Sequence, residues 1–206
     1  PTLFHWPGTP WTYSLACATR LTNSTTDAAM LVVCRLLTVS FGGLALGAAF
    51  RVAARVSRWP LLAPVLLAGA PGFAAGEANL ALVDIPALAV ALCAVDLATG
   101  SARAGRPRHL RLAAAGLILG VATAVKLPAA VLLPVLAVIG IGGATELRAR
   151  AGVCALVCVA TAAGFVVGCP YIVRDALTEG PGPVLEGLAY ELEHYHRGHF
   201  GLFATA

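Results

Sequence analysis

Two ionisable side chains interrupt otherwise apolar sequence: Asp84, in Val83-Asp84-Ile85-Pro86, and Lys126, in Ala124-Val125-Lys126-Leu127-Pro128. A carboxylate at the start of an apolar run has two uses. It accepts hydrogen bonds from the first free amides of a helix, with a proline in the first turn to match, or it serves as an acid or base at a reacting centre. Lys126 is the single lysine in a chain whose other thirteen cations are arginines. Its ammonium either snorkels from a helix end or offers a compact point charge to a phosphate. Arg174 and Asp175 follow Pro170-Tyr171-Ile172-Val173 and read as an anchoring ion pair, or as a second cation for phosphate. Further on, Glu191, Glu193, His194, Tyr195, His196, His199 and Phe200 crowd imidazoles and carboxylates together. That chemistry suits a divalent metal, a substrate contact or a solvated cluster, since His-x-His-x-x-His is not by itself a zinc spacing. Glu77, in Gly76-Glu77-Ala78-Asn79, is either a solvated turn residue or a further acid at the same site. Arg35 reads as a cation paired with Asp27 or another acid.

The elements that hold these groups are apolar. The 206 residues are 59% hydrophobic and 12% charged, against roughly 25% charged in a soluble domain, and the mean hydropathy is +0.84. Too little polar surface exists to cover a soluble core. The formal net charge of +4 is spread over short loops with no interleaved aromatic stripe, which excludes a nucleic-acid partner. Six apolar runs approach the length of about 20 residues that a spanning helix needs: 28–50, 60–76, 80–99, 110–125, 127–143 and 151–173. The gaps between them sort by charge. Arg51, Arg55 and Arg58, then Arg103, Arg106, Arg108 and Arg111, then Arg148 and Arg150 fall on one side; Asp27, Glu77, Asp84, Lys126, Arg174, Asp175, Glu179 and Glu186 fall on the other. Lys and Arg mark cytoplasmic loops, and attraction to anionic headgroups acts in the same sense. The expected fold is therefore all-α, a polytopic transmembrane bundle of about six spans with outer interfacial segments, and the unusual polar groups face outside.

Three stretches follow. Residues 1–27, with Pro1, Pro7, Pro10, Trp6, Trp11 and Tyr13, read as the interfacial end of an outer loop, because Trp and Tyr favour the headgroup level. Residues 28–173 form the transmembrane core. Residues 174–206 form an outer loop in which Val184, Leu188, Leu192 and Tyr195 recur at near-helical spacing, the pattern of a helix lying on the membrane surface. The six cysteines, Cys17, Cys34, Cys93, Cys154, Cys158 and Cys169, mostly sit in or beside apolar runs and act as small apolar filler, with no disulfide framework. The chain opens on Pro1 and stops inside a loop, as a fragment of a longer protein would.

Several of these stretches together resemble membrane glycosyltransferases of the GT-C type that use polyprenyl-phosphate sugars, in particular the bacterial relatives of protein O-mannosyltransferases and of the lipid A aminoarabinose transferase. Phe4-His5-Trp6-Pro7 to Tyr13 is similar to the aromatic-Pro end of the first outer loop, and Arg35-Leu36-Leu37-Thr38-Val39 to the Arg-led start of the next span. Glu77 to Pro86 resembles a small-residue turn with an Asp before a helix. Gly116 to Lys126 (GLILGVATAVK) resembles a Gly-rich helix closing on a Lys, and Gly168-Cys169-Pro170-Tyr171 and Glu193 to Gly201 fit as well. The likeness covers nearly the whole chain.

The resemblance implies a multi-pass protein of the bacterial inner (plasma) membrane whose active site faces outside. It would be a hexosyl- or pentosyltransferase that moves a sugar from a polyprenyl-phosphate donor to a hydroxyl of a lipid, glycan or protein acceptor. In that family the principal acids lie in the first outer loop, upstream of Pro1. Asp84 is then a supporting acid, Lys126 and Arg174 contact the donor phosphate, and His194, His196, His199 and Glu77 line the acceptor or metal side, with a divalent cation as the one cofactor to consider. A multi-spanning transporter or permease is the rival reading. It calls for polar groups near mid-membrane, often in a repeated half; here they gather at span ends and no repeat is visible. The coding sequence upstream of Pro1 is expected to encode an apolar span followed by an outer loop with one or two carboxylates. Sequencing it checks this, and an in-frame start near Pro1 would remove the main acid from the transferase reading.

Overall fold

The computed structural model describes residues 27–70, 84–100, 108–142, 144–182, 185–187 and 189. In chain order they form α1 (Asp27–Val56), α2 (Leu62–Gly69), α3 (Asp84–Thr99), α4 (Arg108–Val125), a 3-10 segment (Leu127–Leu132) continuing as α5 (Leu133–Ile141), α6 (Leu147–Gly168) and α7 (Tyr171–Thr178). The described residues contain no strand. Three segments are long and apolar enough to cross a membrane: Arg35–Val56, Arg108–Val125 and Leu147–Gly168. The other apolar runs give shorter helices. The 16 described residues of α3 reach about 24 Å at 1.5 Å per residue, against a hydrocarbon core of about 30 Å. The run at 60–76 yields only the eight-residue α2 among the described residues. Pro60 lies in the turn before α2, and Pro64 sits in its first turn, where a missing N–H costs little.

Helix ends follow from proline chemistry. Pro128 has no N–H to return to the carbonyl of Ala124, and its ring would collide with that carbonyl. So α4 stops at Val125, Lys126 takes an extended backbone (φ −153°, ψ 121°), and the chain restarts as a 3-10 segment. Pro170 acts in the same way on the last long run. The helix expected over 151–173 ends at Gly168, and a separate short helix begins at Tyr171.

The bundle is assembled by small residues. Ala45, Ala48, Ala49 and Ala53 of α1, Ala91, Ala94 and Ala98 of α3, and Ala115, Ala122 and Ala124 of α4 are all buried. Larger side chains such as Val32, Leu36 and Val39 of α1, Val131 and Val138 around α5, and Val159 and Val167 of α6 face outward. That distribution inverts a soluble bundle and fits helices packed in lipid, where close approach replaces the hydrophobic drive. The closest approach joins α4 to α6, which run parallel. A Cβ on Gly116 would stand 2.8 Å from Ala160 Cβ. A Cβ on Gly120 would meet the Thr161 carbonyl oxygen and stand 2.5 Å from the Phe165 nitrogen; one on Gly164 would meet the Leu117 carbonyl. Backbone touches backbone there, so only glycine fits.

Two ends of the bundle emerge. At one, α1, α3 and α5 finish while α4 and α6 begin. Arg51 Nε and Arg55 Nη1 each approach a carboxylate oxygen of Asp96 at 2.8 Å. Arg55 also donates to the Asp96 carbonyl at 2.6 Å and to Thr99 Oγ1 at 2.8 Å. Arg108 donates to the carbonyls of Ile139 and Gly140, both at 2.9 Å, and Arg111 to the carbonyl of Gly100. At the other end α3 begins and α4 and α6 finish, near Asp84, Lys126 and Tyr171.

Gly164→Val is expected to destabilise the bundle by at least the roughly 1–3 kcal/mol typical of an overpacked core. Gly152→Ala, at a position with open space around the new Cβ, should stay within about 0.5 kcal/mol of the parent. Thermal unfolding of the two variants in detergent separates these outcomes.

Candidate functional site

The ammonium of Lys126 donates to Oδ1 of Asp84, closing an ion pair across 42 residues of sequence. Each group suits the helix end it occupies. Asp84 opens α3, where the unpaired amides and the positive end of the helix dipole favour a carboxylate. Lys126 follows the last residue of α4, where free carbonyls favour a cation. Lys126 N–H closes α4 on the Ala122 carbonyl at 2.9 Å, and Ala129 N–H opens the 3-10 segment on the Lys126 carbonyl at 3.0 Å. The backbone of this lysine is thus fixed from both sides.

The floor of the pair is apolar. Val125 packs with Ala87, Leu37 and Phe41. Ala124 packs with Cys169, Phe165, Tyr171 and Ile172. The pair itself is only partly covered: the side chain of Lys126 is 23% exposed and that of Asp84 35%. An anion arriving from outside can therefore reach the ammonium without opening the core. The low-dielectric floor strengthens whatever charge contact is made above it.

Arg174 is exposed on α7, at the same end of the bundle, because Tyr171 and Ile172 tie that helix to Ala124. The neighbouring Asp175 is buried and engaged within the fold. Arg35 is exposed on α1, whereas the side chain of Asp27, its expected partner, lies outside the described residues. Glu77, His194, His196 and His199 also lie outside them, as do the interfacial segment 1–26 and the stripe of Val184, Leu188, Leu192 and Tyr195. Among the described residues, no group of three or more His, Cys, Asp or Glu side chains is placed to hold a metal ion.

Reading the sequence singles out Asp84 and Lys126 separately but does not join them. Nothing in local pattern says which helix ends meet. The role of Asp96 is missed altogether; an acid on the side where the arginines gather is an exception to the charge sorting, and that is the signal that would have found it. Compared with protein-family models, characterised proteins and solved structures, the chain has no significant match.

If Asp84 and Lys126 stabilise each other as their geometry indicates, Asp84→Asn and Lys126→Gln should each lower stability, and the double variant should cost less than their sum. For a partly exposed pair the coupling energy is expected to be about 0.5–1 kcal/mol. A double-mutant cycle on unfolding in detergent measures it, and strict additivity would mean that the pair does not couple.

Proposed function

We propose that this chain belongs to an integral-membrane glycosyltransferase that takes its sugar from a polyprenyl-phosphate donor and works at the Asp84–Lys126 end of the bundle. The observation that carries this reading is the pair itself: a lysine and a carboxylate above an apolar floor, at the end opposite the arginine cluster. The positive-inside bias supports an orientation with the arginine end in the cytoplasm and the pair outside, and the reading takes the protein as multi-pass in a bacterial plasma membrane.

The chemistry asks for two kinds of group. The acceptor hydroxyl oxygen attacks the anomeric carbon as the bond from that carbon to the phosphate oxygen breaks. The bonding electrons leave with the lipid phosphate, and the hydroxyl proton passes to a carboxylate base. Negative charge grows on the phosphate, so a preorganised cation there lowers the barrier. Lys126 is suited to that task, with Arg174 as a second cation at the same end. Before the donor binds, Asp84 keeps the ammonium oriented and neutralised. When the phosphate takes the ammonium, the start of α3 still favours the carboxylate that is left. Asp84 is then the supporting acid, and the main base belongs to a part of the protein other than this pair. A lipid, glycan or protein hydroxyl is the acceptor, with His194, His196, His199 and Glu77 on its side.

The test uses the full-length protein in membranes supplied with a panel of radiolabelled polyprenyl-phosphate sugars. Lys126→Ala and Asp84→Asn are expected to lower transfer, with the lysine variant losing on the order of a hundredfold, as when one electrostatic contact to a transition state is removed. Membrane insertion should be unchanged. Wild-type turnover in both variants, or no transfer from any donor of this class by the wild type, sinks the proposal.

A further inference from the structure

At the arginine-rich end, five of the seven described guanidinium groups are already engaged. Arg51 and Arg55 hold Asp96, Arg108 and Arg111 hold helix-end carbonyls, and Arg150 Nε donates to the Ala144 carbonyl at 2.9 Å. Arg58 and Arg148 are exposed and have no ion pair among the described residues. Of the two, Arg58 sits in the turn from α1 to α2 beside an apolar surface. The turn is ordered by its own bonds. Trp59 N–H donates to Ser57 Oγ at 3.0 Å, and Leu62 N–H donates to the Trp59 carbonyl at 3.0 Å.

Behind Arg58 the surface is apolar. Arg58, Trp59, Pro60, Leu61, Leu62 and Val65 line an open pocket of about 360 Å³. That is within the range of small-ligand sites, about 300–1,000 Å³. Trp59 is 75% exposed and Leu61 66%, and α2 buries none of its residues. Trp prefers the headgroup level of a bilayer. A free cation, an indole at the interface and an aliphatic trough running away from both match one molecule: an amphiphile with an anionic phosphate and an acyl chain.

We propose that the α1–α2 turn is a binding site for an anionic phospholipid, with its phosphate on the Arg58 guanidinium and one acyl chain along Leu61, Leu62 and Val65. The site is at the opposite end of the bundle from Asp84 and Lys126. It depends on the chain lying in a bilayer and not on the transfer reaction. Charge complementarity selects the headgroup: Arg58 belongs to an end where seven described arginines face two acids, Asp96 and Glu146. A zwitterionic lipid brings its own cation to that field and gains less from it.

Of the three tryptophans, Trp59 can be isolated by Trp6→Phe and Trp11→Phe in the full chain, reconstituted into vesicles of phosphatidylcholine. Either phosphatidylglycerol or further phosphatidylcholine with brominated tails is then titrated in, and quenching of Trp59 is followed. The anionic lipid is expected to quench at about fivefold lower mole fraction, the effect of one cation near a charged surface. Arg58→Gln should remove the preference, and Arg58→Lys should retain most of it. Equal quenching by the two lipids, or a preference that persists in Arg58→Gln, overturns the site. Quenching by neither lipid overturns it too, and would mean that a second copy or another protein covers Trp59, or that this turn does not lie in the bilayer.

Discussion

The contact of α4 with α6 is the constraint on which the other helices depend. In lipid, helices gain nothing by hiding leucines from their surroundings, and association rests on how closely backbones approach. Gly116, Gly120 and Gly164 remove the side chains that would hold these two helices apart. Leu119 and Val157, fully buried, then fill the space beside the contact, together with Ala115 and Ala122. The register of α4 against α6 in turn sets the height of Lys126, one residue past the end of α4, relative to Cys169 and Tyr171 just past the end of α6. Because α3 packs along α4 in the opposite direction, its first residue, Asp84, arrives beside Lys126.

Charge at the two ends serves the helices before it serves any reaction. Where α3 and α5 finish, their last carbonyls have no partner within the helix. Arg55, Arg108 and Arg111 supply donors to the carbonyls of Asp96, Ile139, Gly140 and Gly100. The arginines that a topology rule counts as loop charges are thus helix caps as well. Asp96 has a second function, drawing Arg51 and Arg55 of α1 onto the end of α3. The opposite end uses a single reciprocal pair for the same purpose, and that economy leaves Lys126 and Asp84 partly open to solvent.

Much of this was legible in the sequence, for reasons that also explain what was not. The run at 110–125 predicts α4 to within two residues because Arg108 and Lys126 bracket it and Pro128 forbids continuation. The run at 28–50 underestimates α1, which continues to Val56. Hydropathy stops at Arg51, yet the helix carries on because Arg51 and Arg55 find Asp96. The run at 151–173 is broken by Pro170, so its last residues belong to α7. Asp84 and Lys126 were visible as misfits in apolar sequence, but their pairing is a property of helix order and register, which single residues do not encode. The run at 127–143 is visibly short in the sequence, and Leu127–Ile141 is a short apolar helix. The histidine cluster and Glu77 lie outside the described residues, so those readings stand as expectations.

The parallel course of α4 and α6 bears on how the chain is made. Two neighbouring helices joined by a short turn can zip together as soon as both have left the ribosome. Parallel helices cannot, because the chain must first cross back through the 3-10 segment and α5. When α4 is synthesised, the face carrying Gly116 and Gly120 has no mate and must wait, covered by lipid or held against α3. Only the arrival of α6 closes it. Assembly therefore has a late step that depends on a contact between segments distant in the chain, and a nascent chain halted after α5 would present an unfilled groove to any quality-control factor that surveys the membrane.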